Sequence, residues 1–481
     1  MITWPVRARE DLVLVGEDQE GLAIDGPFGR FQLRVHRPGV RAAVATLWSR
    51  PVTDEELADI ALVVDEQTDL AVLYYEVERL AARGVISRLL SVDGHLLLSC
   101  VATSSGWRFD RRPVEADQSC RLSRFAYCHR RGSELVVESP LAPTRTVLLD
   151  PAAAAPIAGL AEPTTVDKLA GELPGWDRRA LEAVVEFLVA AKVVDTVGDG
   201  EELSGDRAGH LDQSEFHDVL FHARSRRGYH DGPLGATFRF AGSLPPQPAV
   251  RPTAWRVHVA LPTPDIDRLA DEDAPFTRVV ESRSSVRAYG PPLRLEEVGH
   301  FLYRAARVRS VTAVDPEVGQ LYETTSRPYP SGGATYDLEL YLTVGSCDGL
   351  PPAIYHYDPV EHHLGLVTDE RRWVDAMLRE AWLACAQQAV PQVLVTLTSR
   401  LARLSWKYEA IAYAATLKNV GVLYQTMYLV ATAMGLAPCA LGSGNSVLFA
   451  EATGVDRWAE PSVGEFMLGT RPSSQASDPA S

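Results

Sequence analysis

Lysine is nearly absent from this chain. Among its 47 cationic side chains it stands only at positions 168, 192, 407 and 418, and arginine supplies the rest. Positive charge is also outnumbered, with a formal net charge of -16. That excess would repel a phosphate backbone or an anionic bilayer, so no general nucleic-acid or membrane-surface binder is expected. Cysteine is scarce too. Cys100, Cys120, Cys128, Cys347, Cys385 and Cys439 form no CxxC pair and no zinc-finger spacing. This argues against a metal site or a disulfide framework and fits reduced thiols in a cytoplasmic protein. Residues 1–7, MITWPVR, lack the apolar core of a signal peptide. The longest apolar region, 410–440, is broken by Lys418, Asn419 and Gln425, which suits a buried helix and not a membrane span.

What is present predicts a globular chain of several domains, since 481 residues exceed a single core. Short strand-like runs at Leu12–Val15, Leu22–Ile24 and Phe31–Val35 come first. Thr53 and Glu56 have capping-box spacing and start a helix. A second helix carries Leu73, Val77, Leu80 and Ala81 on one face and stops near Gly84, with a hairpin from Val85–Ile86 to Leu96–Leu98 behind it. The same order returns about 112 residues on. Strand-like runs lie at Phe125–Tyr127, Leu135–Val137 and Val147–Leu149, a helix start at Pro163–Thr165, and a helix face at Leu181, Val184, Val185 and Leu188. The expectation is two tandem winged-helix-like units, 1–110 and 111–200. Neither has a basic recognition helix; Glu66, Asp69, Glu76 and Glu78 make the first acidic. Strand addition of a peptide to a sheet edge is a better physical fit, and a purely structural role is equally open.

Residues 201–251 read as a linker. Its His217 and His222 are five residues apart, poor spacing for one helix face, so a folded-over segment is expected and not a metal site. The last domain spans 252–472 and mixes helix with strand. Leu295 opens an amphipathic helix with Val298, Phe301, Leu302, Ala305 and Ala306 on one stripe. Alternating runs at 337–344, 353–357 and 390–397 read as strands, a long helix covers 410–434, and a short strand lies at 466–469. The small, polar tail 473–481 is expected to be disordered.

Four loops in this domain have composition suited to a phosphate or a flat ligand. Arg283-Ser284-Ser285-Val286-Arg287 offers two guanidinium forks with hydroxyls between them. Pro330-Ser331-Gly332-Gly333 lets backbone approach a ligand closely. Leu441-Gly442-Ser443-Gly444 and Gly469-Thr470-Arg471 are the others. Each alone is a surface run or a turn. Trp406-Lys407-Tyr408-Glu409 adds a lysine, the cation able to serve as a base when buried, in a chain that otherwise uses arginine. His356, His362 and His363, with Asp358 and Glu361, read as a solvated hairpin. Cys439 reads as a buried core thiol, and Trp373, Trp382 and Trp406 as packing.

In their order these elements resemble the flavin-dependent nitroreductase family, in its branch of SagB-type azoline dehydrogenases, which mature thiazole- and oxazole-containing ribosomal peptides. The resemblance covers 278–471 and rests on the Arg-Ser-Ser-x-Arg start, the Pro-Ser-Gly-Gly loop, the Lys-Tyr pair and the run from Tyr424-Gln425 to Gly435-Leu436. It implies an α+β fold whose C-terminal domain holds FMN on an antiparallel-rich sheet flanked by helices. It implies that Arg283, Ser284, Ser285 and Arg287 hold the phosphate and ring edge and that Ser331 and Gly332 lie near the flavin. Gly442 and Ser443 would flank its ring, and Arg471 would be a late phosphate ligand. It makes Lys407 and Tyr408 the catalytic pair. It further implies a homodimer with the cofactor at the interface, a precursor-peptide substrate and a cyclodehydratase partner. The chain departs from relatives at Ile411-Ala412-Tyr413, where many carry an arginine, and at Lys418-Asn419-Val420-Gly421, where many carry Glu-Ala-Gly-His. Two other functions share parts of this pattern: an NAD(P)H-dependent nitro- or quinone reductase, and a non-catalytic peptide scaffold with a vestigial flavin domain. Which of Lys407 and Tyr408 is the base does not follow from the residues.

Overall fold

The computed structural model describes residues 1–472 except 18–20, 27–28, 105–106, 116, 197–208 and 253–254. The tail expected to be disordered, 473–481, lies outside the described residues. The chain forms two compact units, Met1–Gly232 and Pro233–Ser481.

In the first unit local signals act as the sequence implies. Thr53 and Glu56 cap the helix Asp54–Val64 reciprocally, the hydroxyl accepting from Glu56 N–H and the carboxylate from Thr53 N–H. The helix Leu70–Ala82 buries Leu73, Val77, Leu80 and Ala81. Strands Ile86–Val92 and His95–Ala102 follow, joined by Asp93-Gly94 with both φ values positive, the chemistry of a tight hairpin turn. The second half repeats the scheme with helices Val166–Glu172 and Arg178–Ala190. The expected separation into two units is not what forms, however. Thr144–Leu148 from the second half pairs antiparallel with His95–Ala102 from the first, so one seven-stranded sheet runs through both and ends at Tyr127–Arg131. The reason is energetic: joining the halves satisfies the edge of each sheet and adds Leu98, Cys100 and Ala102 to the core beneath Arg178–Ala190.

The histidine-bearing stretch of the expected linker is a helix, Phe216–Arg224, and Asp231 beyond it ion-pairs with Arg9 and Arg145 of the first unit. Residues 233–251, also read as linker, belong to the second unit. There Arg400 donates to the carbonyls of Pro248 and Ala249, and Trp406 to that of Leu244.

The second unit is an antiparallel sheet between two helical layers, the architecture the resemblance implies. Its seven strands run His258–Ala260, His363–Thr368, Ile354–Asp358, Leu338–Val344, Val393–Ser399, Ser462–Thr470 and Leu436–Leu441 in spatial order. Alternation along Val393–Ser399 sends Val393, Val395 and Leu397 to one face and Leu394 to the other. The helices Leu295–Ala306 and Ala412–Ala433 cover the first face, and Arg371–Ala384 with Ser446–Thr453 covers the second. The histidines do not form a solvated hairpin. His356 is buried between Glu339 and the Trp255 indole, and His362 between the Tyr357 hydroxyl and the Pro262 carbonyl. Glu339 stands on the adjacent strand and Pro262 is 100 positions from His362, so neither is visible to local spacing.

Candidate functional site

The Lys-Tyr pair sits where a helix becomes a strand. Leu401–Lys407 is helical, and Tyr408 turns extended (φ -107°, ψ 138°) to pair Tyr408–Glu409 with Gly235–Ala236. Both side chains meet the Pro-Ser-Gly-Gly loop at Gly333. That residue has φ 61°, and a Cβ added to it would lie 2.5 Å from the Tyr408 hydroxyl and closer still to Lys407 Nζ. An L-residue there would be strained, and its Cβ would have to displace the ends of both side chains. Lys407 Nζ donates to the Tyr322 hydroxyl at 2.6 Å, and that hydroxyl donates to the Gly333 carbonyl at 2.7 Å. The ammonium also lies 4.9 Å from the Tyr322 ring, 5.1 Å from that of Tyr408 and 5.7 Å from that of Phe238. Arg403 braces the surroundings through the carbonyls of Gln247 and Glu323, both at 2.5 Å, and that of Thr335.

The loop itself is tied to the long helix. Gly332 N–H donates to Asn419 Oδ1 at 3.1 Å, and Asn419 donates to Asp337 at 2.7 Å. Asp337 is fully buried and also accepts from Ser399 at 2.6 Å and Thr416 at 3.0 Å, so its burial is compensated. Ser331 Oγ accepts from Tyr336 N–H at 3.1 Å. Two groups that composition marks as free ligands, the Gly332 amide and the Ser331 hydroxyl, are thus engaged in shaping the loop.

The arginine segment lies elsewhere on the same unit. The helix Phe276–Ser282 stops at Arg283, and the chain then runs beside the edge strand Leu436–Leu441, with Val286 N–H donating to Pro438 at 2.8 Å and Gly290 N–H to Thr470 at 3.0 Å. Tyr428 joins the two. Its hydroxyl accepts from Ala440 N–H at 2.8 Å and shares a second hydrogen bond with Ser285 Oγ, also at 2.8 Å. Arg283 covers the Tyr428 ring at 5.2 Å, Arg287 faces the buried Cys439 thiol, and Arg471 Nε donates to the Leu436 carbonyl at 3.1 Å. None of these three arginines ion-pairs with a carboxylate among the described residues. Ser284, Ser285, Arg287, Gly442 and Ser443 are exposed. Three cations without a carboxylate beside exposed hydroxyls form a donor set that fits a phosphate. Next to them Gly444 packs against the buried Glu465, where an added Cβ would collide with the carboxylate. Burial alone raises that carboxyl to about 7.

The structure therefore brings Ser331, Gly332, Lys407 and Tyr408 into one cluster and Arg283, Ser285, Arg287 and Arg471 into another. The two meet opposite halves of one helix. Asn419 and Tyr428 are nine positions apart, a rise of about 14 Å. Tyr322, Asp337 and Glu465 escaped the sequence reading. Glu465 carried a signal, a lone acid inside the apolar run Gly464 to Leu468; Tyr322 carried none.

Comparison with known proteins finds two family matches along the chain. Residues 280–470 match the nitroreductase family, and residues 120–231 match the cyanobactin oxidase ThcOx family. A protein named as a nitroreductase in Methanocaldococcus jannaschii is 29% identical over 184 residues, which are 37% of this chain and 82% of that one. Among solved structures, one titled as a nitroreductase from Ralstonia eutropha JMP134 is 21% identical, over 50% of this chain and all of its own, with a TM-score of 0.35. A chain of the E. coli microcin synthetase McbBCD complex, solved with truncated pro-MccB17 bound, is 17% identical over 53% of this chain and 92% of its own, with a TM-score of 0.33. A Desulfovibrio desulfuricans structure, titled as a nitroreductase in complex with FMN, is 14% identical over 44% and 90%, with a TM-score of 0.28.

Proposed function

We propose that this chain, which joins a cyanobactin-oxidase segment to a nitroreductase-family oxidoreductase domain, is an FMN-dependent dehydrogenase that turns thiazoline or oxazoline rings of a ribosomal peptide into thiazoles or oxazoles. The observation that carries this reading is the meeting of Lys407 and Tyr408 at Gly333. It seats a base-capable pair on the loop that the family resemblance puts beside the flavin.

On this reading Arg283, Ser284, Ser285, Arg287 and Arg471 would hold the phosphate, and Ser331, Gly332, Gly442 and Ser443 would border the ring. Aromatising an azoline removes two hydrogens, one as a proton and one as a hydride. Bound FMN supplies the hydride acceptor, and molecular oxygen is the terminal oxidant, leaving hydrogen peroxide. The chain's own work is to place the ring and to take the proton on the Lys407–Tyr408 couple, which accepts it with one member deprotonated, lysine as the free amine or tyrosine as the phenolate. Phe238, held over Lys407 by the Gly235–Ala236 pairing, covers the ammonium on one side. The first unit would bind the peptide or a cyclodehydratase, for which the strand Tyr127–Arg131 offers a sheet edge with no further strand paired to it among the described residues. A homodimer is supported by Tyr413, Leu417 and Val422, apolar residues left exposed on the helix that touches both clusters.

The test uses purified protein and a thiazoline-bearing peptide, with mass spectrometry reading the loss of two hydrogens per ring. Lys407→Ala and Tyr408→Phe keep the yellow colour and abolish that loss. Full turnover in both removes the couple from the reaction. Rapid bleaching of the flavin by NADPH instead favours a nitro- or quinone reductase.

A further inference from the structure

We propose that Tyr322 is the positioning residue of this site, the group that holds Lys407 in register with the Gly333 loop. The proposal rests on Lys407 acting in the reaction as described above. Tyr322 is 8% exposed and has one hydroxyl proton, which goes to the Gly333 carbonyl at 2.7 Å. Its oxygen lone pairs are then left to face Lys407 Nζ, which donates at 2.6 Å. One phenol therefore sets the lysine against the glycine loop in a fixed direction.

The charged and titratable groups around the lysine leave it little alternative. Glu409, next but one in sequence, turns to Thr237 at 3.1 Å and Arg239 at 3.5 Å. Among the described residues no carboxylate lies within ion-pair distance of Lys407. Phe238 offers its ring face, and Tyr408 shares the crowding at Gly333. Tyr322 is itself held from both sides. Its ring packs on Phe238 and Trp406 at 6.4 and 6.0 Å, and Arg403 lies 6.0 Å from that ring while donating to the neighbouring Glu323 carbonyl. A lysine side chain has four rotatable bonds; with its end tethered to a buried phenol it samples few of them, and the reaction geometry is met more often.

Tyr322→Phe removes both hydrogen bonds and keeps the ring under the ammonium. With thiazoline peptide as the probe, kcat falls about 10- to 100-fold, KM changes less than about 3-fold, and flavin content stays at the wild-type level. The structural readout is independent of turnover. With four lysines in the chain, 13Cε-labelled lysine gives few signals, and Lys407→Arg identifies the one from position 407. In the wild-type protein the two Hε protons of Lys407 have distinct shifts, as in a pinned side chain, and in Tyr322→Phe they merge. Equivalent Hε protons in the wild type, or distinct ones in the variant, would overturn the proposal, as would an unchanged kcat. If Lys407→Ala itself retains turnover, the catalytic reading of the lysine fails, and the NMR result still reports separately on whether Tyr322 pins it.

Discussion

Gly333→Ala is the sharpest single perturbation of this site. The residue has φ 61°, a left-handed conformation that costs an L-residue about 1–2 kcal/mol. The new methyl would also stand 2.5 Å from the Tyr408 hydroxyl and closer to Lys407 Nζ, so both groups must retreat by roughly 1 Å to reach ordinary contact. Backbone strain and displacement are separable. Gly454 has φ 71° with nothing within 4 Å of an added Cβ, so Gly454→Ala carries the strain alone. Both variants should lose about 1–2 kcal/mol in urea unfolding. Only Gly333→Ala should lose turnover, by about 100-fold, because a misplacement of that size near reacting atoms has that consequence. The assay is ring oxidation followed by mass spectrometry, with flavin absorbance as a check on cofactor content. Wild-type turnover in Gly333→Ala would refute the claim that the couple works against this loop. An equal loss in Gly454→Ala would refute the separation of strain from displacement.

A second expectation concerns Glu465, whose folded pKa of about 7 lies above the ordinary value of 4.5. The folded state then holds a proton that the unfolded chain releases, so stability is greatest below about 4.5 and declines as pH rises to about 7. The decline is roughly 3 kcal/mol, and Glu465→Gln should abolish it; parallel stability curves for variant and wild type between pH 4.5 and 8 would contradict this. A third concerns Arg283, which has no carboxylate partner among the described residues. Arg283→Ala should weaken FMN retention by at least 10-fold on dialysis, about 1.4 kcal/mol, with the steepest loss at high ionic strength, and unchanged occupancy would contradict the phosphate assignment.

The sequence by itself determined what depends on neighbours along the chain. The Thr53–Glu56 cap, the buried stripe of Leu295–Ala306 and the Asp93-Gly94 turn follow from spacings of three, four and two residues, and local physics suffices to produce them. The order of the arginine, glycine and Lys-Tyr motifs was legible for the same reason. Tertiary structure decided what depends on distant pairing. Thr144–Leu148 could find His95–Ala102 only across some 40 intervening residues, and so two expected units became one sheet. The buried histidines found distant partners, His356 at Glu339 on the adjacent strand and His362 at the Pro262 carbonyl 100 positions away. Tyr322 reached Lys407 across 85 positions. Such contacts are selected by the burial of many groups at once and by the need to satisfy buried polar atoms, and neither leaves a periodic mark in the sequence.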